Sequence, residues 1–138
     1  MQPTPYLFFD GTCRAAMEAY GALFGTEPEI MAFSAMPAEA RAQMPGIAAE
    51  AVMHAALKLG DGWIFASDGT PGETDAMAGC NINLSLPDAA ETRRVWEALA
   101  QGGETRMPLA PTFFAPLFGT LTDRFGTRWM IMQDRPAA

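Results

Sequence analysis

The sequence predicts an α+β fold built from two βαβββ modules, and three observations carry that prediction. The chain writes the series strand, helix, strand, linker, hairpin twice. CNINLSL (80–86) alternates strictly, with Ile82, Leu84 and Leu86 on one face and Asn81, Asn83 and Ser85 on the other, as a half-buried strand must. Two pairs of apolar runs close on short glycine-bearing turns, AALKLGDGWIFASD (55–68) and FGTLTDRFGTRWMIMQD (118–134), and each reads as a hairpin.

The elements follow in order. TPYLFFDG (4–11) is aromatic and apolar and ends at a glycine, which predicts a strand running into a turn. Thr12 is placed to cap the next helix, whose apolar stripe through Ala16, Met17, Tyr20, Leu23 and Phe24 stops at Gly25. EPEIMAFSAM (27–36) is a second strand, and PAEARAQMPGIAAE (37–50) is a loop carrying a short helical turn. VMHAALKLG (52–60) and GWIFASD (62–68) flank Gly60-Asp61-Gly62, which suits the positive φ of a type I′ turn. GTPGETDAMAG (69–79) breaks the chain. Asp88 and Glu91 form a capping-box pattern for a helix through Val95, Trp96, Leu99 and Ala100 that ends before Gly102-Gly103. ETRMPLA (104–110), the aromatic segment PTFFAPLF (111–118) and the closing hairpin complete the second copy.

With 138 residues the chain holds one substantial core or two small modules that share one, so residues 1–138 read as one domain. Module one is 1–70, the linker 71–79 and module two 80–134. Tyr20 falls on Trp96 and Leu23 on Leu99 at an offset of 76 residues, while Trp63 falls on Trp129 and Asp68 on Asp134 at an offset of 66. Two copies of roughly seventy residues are too few for a solenoid, which needs about three units. Hydrophobic residues make up 49% and charged residues 18%, so the whole length should fold except a tail at Arg135 to Ala138.

A net charge of −7 opposes binding to nucleic acid or to an anionic membrane surface. Apolar runs fall short of a membrane span and the N-terminus lacks the features of a signal peptide, so the expectation is a soluble cytoplasmic protein. Cys13 and Cys80 lie far apart in no CxxC pair and read as reduced thiols, and His54, the single histidine, has no partner for a HExxH metal site.

PYLFFDG, HAALKLGDG, ASD and above all MPLAPTFFAPLFGTLTDRFGTRWMI resemble the PhnB-like branch of the vicinal oxygen chelate superfamily, which includes glyoxalase I, bleomycin-resistance proteins and extradiol dioxygenases. The resemblance covers nearly the whole chain. It implies a glyoxalase-like fold: a cupped mixed β-sheet with helices on its convex face, a concave ligand cavity and a homodimer. It also implies up to four metal-ligand positions, which fall at Pro5, Ile64, Asn81 and Met130. A catalytic Zn²⁺, Fe²⁺ or Mn²⁺ needs about three imidazole or carboxylate ligands, and Asn81 alone of the four carries an oxygen donor. No metal site and no other cofactor is therefore expected. Relatives of this branch carry the labels phosphonate-metabolism protein and demethylubiquinone methyltransferase. The second would need a glycine-rich strand-to-helix loop for its nucleotide cofactor, and the sequence holds none.

Strand alternation assigns Asn81, Asn83, Ser85, Thr120 and Arg128 to the cavity, with His54 and Met130, and turns Trp63, Phe65, Trp129 and Ile131 toward the helices. His54 is either a general base for an acidic C–H or an alcohol, or a neutral imidazole hydrogen-bonded within the sheet. Arg128 either clamps a carboxylate or phosphonate or pairs with Asp123. Phe113 and Phe114 sit in a proline-bounded loop that closes over a ligand or anchors to the core or a dimer interface. Cys13 lies in the first turn of a helix, where the dipole favours a thiolate, yet no catalytic partner is identifiable and a structural thiol is the simpler reading.

These residues suggest a small-molecule-binding protein holding a metabolite or drug-like ligand in a concave cavity without the usual metal centre. The alternative is a lyase, isomerase or transferase with His54 as base. A third reading is a structural or regulatory dimer with a vestigial cavity.

Overall fold

A computed structural model describes residues 1–136. The chain forms two compact units, Met1–Asp75 and a second that starts at Ala76. Each is a βαβββ module, and the α+β class is as expected.

In the first unit, β1 (Tyr6–Phe9) leads into α1 (Cys13–Phe24), β2 (Glu29–Ala32), a 3-10 turn at Phe33–Ala35, the short α2 (Ala38–Ala42), and the hairpin β3 (Val52–Leu59) and β4 (Gly62–Asp68). The strands lie in the order β1-β4-β3-β2, with β1 parallel to β4 and the other pairs antiparallel. The second unit repeats this with β5 (Ile82–Leu86), α3 (Ala89–Ala100), β6 (Glu104–Ala110), β7 (Phe118–Thr122) and β8 (Arg128–Gln133), in the order β5-β8-β7-β6. Both sheets are mixed.

Alternation decides what each sheet buries. In the first, Leu7, Phe9, Ala55, Leu57, Ile64 and Ala66 are buried on the face that meets Ala16, Met17 and Tyr20 of α1. In the second, Leu121, Trp129 and Ile131 are buried on the face that meets Val95 and Leu99 of α3. Gly119, opposite Ile131, lies on that face without room for a side chain: a Cβ there would come within 2.7 Å of the Trp96 indole ring and 3.0 Å of the Leu109 Cα.

Three local expectations are corrected. Thr12 occupies the N-cap of α1 but its side chain makes no capping bond. Asp68, at the end of β4, caps the helix instead: Oδ1 accepts from Cys13 N at 3.0 Å and Oδ2 from Val52 N at 2.9 Å. α3 follows the capping-box expectation in its N-cap bond, with Asp88 Oδ1 accepting from Glu91 N at 2.8 Å. In the β3–β4 turn Gly60 has φ +57, while no non-glycine residue has positive φ. Asp61 therefore stays negative, giving the sign pattern of a type II′ turn rather than I′. The second strand is shorter than its apolar run, because Phe33 N and Ser34 N leave the ladder to donate to Ala51 O and Ala49 O.

The tail expected to be disordered begins at Arg135, which donates from Nε to Phe114 O and from Nη2 to Phe113 O at 2.9 and 2.8 Å. Residues 137 and 138 of that tail lie outside the described residues. No helix among the described residues is long and apolar enough to cross a membrane.

Candidate functional site

The face of the first sheet opposite α1 is aromatic and open. The ladder pairs Tyr6 with Phe65, Phe65 with Ala56 and Trp63 with Lys58, so Tyr6, Trp63, Phe65 and Lys58 share that face with His54. The rings form a connected group: His54 to Phe65 at 5.1 Å, Tyr6 to His54 at 5.8 Å, Trp63 to Phe65 at 6.4 Å and Tyr6 to Phe8 at 5.0 Å. Tyr6 Oη and His54 Nδ1 are 3.3 Å apart, a long hydrogen bond. Tyr6 is 41% exposed, Phe8 55% and Trp63 37%. The Tyr6 hydroxyl, the His54 ring nitrogens and the Trp63 indole N–H are the polar groups of this otherwise apolar ring surface.

Trp63 and Phe65 therefore point away from the helix, against the expectation, whereas Trp129 and Ile131 point toward theirs. The cause is loop length. Leu59 pairs with Gly62 across a two-residue turn, but Thr122 pairs with Arg128 across residues 123–127. Parallel pairing of Phe9 with Asp68 and of Leu86 with Gln133 sets the true correspondence of β4 and β8 at an offset of 65. The offset of 66 that superposes the tryptophans is one residue off, and a one-residue slip moves every side chain to the opposite face.

The same slip corrects the implied metal positions. Ile64 is buried on the helix face, and the counterpart of Met130 on the opposite face is Phe65. Proline, phenylalanine, asparagine and methionine do not make a site for a hard divalent cation, and no cluster of three His, Cys, Asp or Glu side chains among the described residues is placed to hold one. The donor set does not fit the metal of the superfamily's enzymes.

On the second sheet the face opposite α3 carries Asn83, Ser85, Thr120, Arg128 and Met130: Asn83 pairs with Met130, Met130 with Thr120, Ser85 with Met132 and Arg128 with Thr122. Asn83 and Ser85 are exposed and Thr120 is buried. Asn81, just before β5, accepts from Nη2 of Arg106 through its Oδ1. Asp123 does not leave its carboxylate for Arg128. Its Oδ1 accepts from Phe125 N and Thr127 N, and its Oδ2 from Trp129 Nε1, all within 3.0 Å, so it braces the hairpin loop.

Phe114 packs edge-to-face on Phe118 with ring centroids 4.9 Å apart, and Phe118 pairs with Met132 on the same face as Asn83 and Arg128. Phe113 is 93% exposed and touches Phe114. Phe114 is thus an anchored ring, and Phe113 is the loop's outward tip.

Cys13 is fully buried. Burial, with the Asp68 carboxylate next in weight, pushes its thiol up from 9.0 to about 12. The helix dipole's pull toward thiolate is overruled, which leaves a structural thiol.

A groove of about 880 Å³ also lies in the first unit, away from the aromatic face except for Phe8, beside the N-terminal half of α1 and walled by residues 44–51 and 69–75. Asp10, Glu18, Glu50, Asp68, Glu73 and Asp75 line it against the single cation Arg14. Its acidic walls disfavour the anionic part of any ligand, and its size alone assigns it no chemistry.

Sequence reasoning missed Trp63 and Phe65 through the slip in register, and Tyr6 because YLFF is apolar on both of its faces. It missed Arg106 because a bulge in β6, invisible in the pattern, redirects that side chain.

The sequence model of the family described as 3-demethylubiquinone-9 3-methyltransferase matches residues 1–132. Protein YjdN of Escherichia coli K12 is 31% identical, covering 95% of this chain and 94% of that protein. The crystal structure of protein PA1353 from Pseudomonas aeruginosa is 38% identical over 99% of both chains, with a TM-score of 0.87. The PhnB protein from Bacillus cereus, a putative 3-demethylubiquinone-9 3-methyltransferase by its own description, shares the fold at a TM-score of 0.79 and 23% identity over 97% of this chain and 100% of that one. The chain belongs to the family bearing that methyltransferase description, the PhnB-like branch of the vicinal oxygen chelate superfamily.

Proposed function

We propose that the protein binds a small, partly aromatic metabolite or drug-like ligand on the sheet faces opposite its helices, without the metal centre of the superfamily's enzymes. The observation that carries this reading is the connected ring group of Tyr6, Phe8, His54, Trp63 and Phe65, in which Tyr6, Phe8 and Trp63 are exposed and the other two half-buried. A sheet that needed this face for its own core would bury it, and exposed contiguous aromatic surface marks a binding site. On the second sheet Asn83, Ser85, Thr120 and Arg128 offer polar contacts and Phe114 an anchored ring, with Asn81 holding Arg106 beside them. A homodimer in the cytoplasm is part of the same reading, and sedimentation of the purified protein tests the dimer.

Methyl transfer, which the family's description names, would need a cradle for a nucleotide methyl donor. The junctions from β1 to α1 (Asp10-Gly11-Thr12), from β2 to α2 (residues 33–37) and from β5 to α3 (Pro87-Asp88) lack the glycine-rich form of such a cradle.

The test titrates neutral 2-naphthol into the protein and follows tryptophan fluorescence, with Trp63→Phe to assign the signal. Saturable quenching that Tyr6→Ala weakens supports the platform, and no response overturns it. Metal analysis of the same preparation is the second arm: stoichiometric Zn²⁺, Fe²⁺ or Mn²⁺ overturns the metal-free part. His54→Ala should weaken binding less than tenfold, about 1.4 kcal/mol, whereas an enzyme with His54 as base would lose turnover.

A further inference from the structure

Arg106 is the unpaired residue of a bulge: Thr105 pairs with Leu121 and Met107 with Thr120, which leaves no partner on β7 for the residue between. Bulges re-aim side chains. Here the guanidinium crosses two strands, and its Nη2 donates to Leu121 O at 2.9 Å, to Trp129 O at 3.5 Å and to Asn81 Oδ1. These bonds bring it from β6 over β7 and β8 to the start of β5. Arg128 opens β8 at the same end of the sheet, across from Thr122. Burial first, and then the charge of Arg128, hold the Arg106 guanidinium below the usual arginine range, while Glu104 acts the other way.

This arrangement is costly for a structure with nothing to bind. Nε of Arg106 and Nε of Arg128 are buried and make no hydrogen bond among the described residues. Two like charges repel, and a buried donor without an acceptor costs free energy. Asp123, the acid of the hairpin loop, is already engaged by Phe125 N, Thr127 N and Trp129 Nε1, and Glu104 is the acid whose charge acts on Arg106. Each guanidinium carries five N–H donors in a planar fork that matches a carboxylate or phosphoryl group.

We propose that Arg106 and Arg128, with Asn81 fixing the first of them, form an oxyanion-binding pair on the second sheet that takes the carboxylate or phosphonate group of a small ligand. This deepens the small-molecule reading, on which it rests, by naming the charged group that the second sheet would hold. Asn81 orients Arg106, a positioning role, and the guanidinium donors that Asn81, Leu121 and Trp129 leave free make the contact.

The test uses the full chain at constant ionic strength and the arginine Nε–Hε signals in ¹H–¹⁵N NMR. Acetate, methylphosphonate and inorganic phosphate are the probes, with chloride as control. The Hε signals of Arg106 and Arg128 should move together and saturably with at least one oxyanion and not with chloride. Tighter binding of acetate assigns a carboxylate; tighter binding of methylphosphonate or phosphate assigns a phosphoryl group. Arg128→Gln, which breaks no hydrogen bond seen here, should weaken that binding at least tenfold and leave the melting temperature unchanged or higher. Arg106→Lys keeps the charge, loses the fork and should also weaken it. No saturable shift, an equal shift with chloride, or wild-type affinity in Arg128→Gln overturns the proposal. If Trp63 still responds to 2-naphthol in that case, the oxyanion pair fails alone and the ligand-binding reading stands; loss of both signals removes both.

Discussion

The two hairpins of this protein share a topology and differ in what they do with their tryptophans. In β3–β4 the turn is two residues long and Trp63 lies on the open face. In β7–β8 the loop spans residues 123–127, and Trp129 is fully buried with its indole N–H on Asp123. Internal repetition conserves the path of the backbone, while loop length decides which face a given side chain reaches. Replacing each tryptophan by alanine breaks or sharpens this contrast. Trp129→Ala should destabilise by about 3–5 kcal/mol, through a large cavity and an orphaned carboxylate, and Trp63→Ala by no more than about 1 kcal/mol. Equal shifts in the denaturant midpoint would place the two residues in equivalent positions and restore the offset of 66.

That contrast also shows how far the sequence is legible. Alternation in CNINLSL, the pattern from Asp88 to Glu91 and the Gly60 turn give the elements and the second helix cap directly, since each depends on neighbours in the chain. The faces of Trp63 and Phe65 depend on register, which short-range pattern cannot set when two hairpin loops differ in length. The cap of α1 comes from Asp68, 55 residues beyond the Cys13 amide it accepts, and no local signal announces it. Arg106 reaches Asn81 through a bulge, and a strand with an extra residue looks in sequence like any other strand.

A smaller effect is expected where the two sheets meet their helices. Gly119 pairs with Ile131 as Ala55 pairs with Ala66, so at the offset of 65 for β4 and β8 the two positions correspond. The first unit tolerates a methyl group there because α1 brings small residues and Tyr20 to its sheet, whereas α3 brings Trp96 onto Gly119 itself. Gly119→Ala should cost about 1–3 kcal/mol by overpacking. Trp96→Phe in the same chain should recover part of that loss, and full additivity of the two changes would place the indole elsewhere.

The helix caps separate the units by less. Asp68→Ala removes acceptors from two amides, one of them in a different element, and should cost about 2 kcal/mol. Asp88→Ala removes one local cap bond and should cost about 1 kcal/mol. Thermal denaturation of both variants ranks them, and the reverse order would make Thr12 rather than Asp68 the effective cap of α1.

The two cysteines give the smallest contrast at neutral pH and a clear one in alkali. Cys80 is exposed and Cys13 buried, so a thiol reagent should titrate one equivalent per native chain and two per unfolded chain. Because burial raises the Cys13 thiol from 9.0 to about 12, the folded protein holds this proton more tightly than the unfolded chain does. The resulting stability is fully present below about pH 9 and is lost as pH rises toward 12. Cys13→Ala lowers stability at neutral pH by its lost packing, yet it should flatten the fall between those limits. Cys80→Ala should leave the slope as it was. A Cys13→Ala protein whose stability declines as steeply as the parent's through that window would show that the thiol ionises in the core without penalty, against the burial seen at the N-terminus of α1.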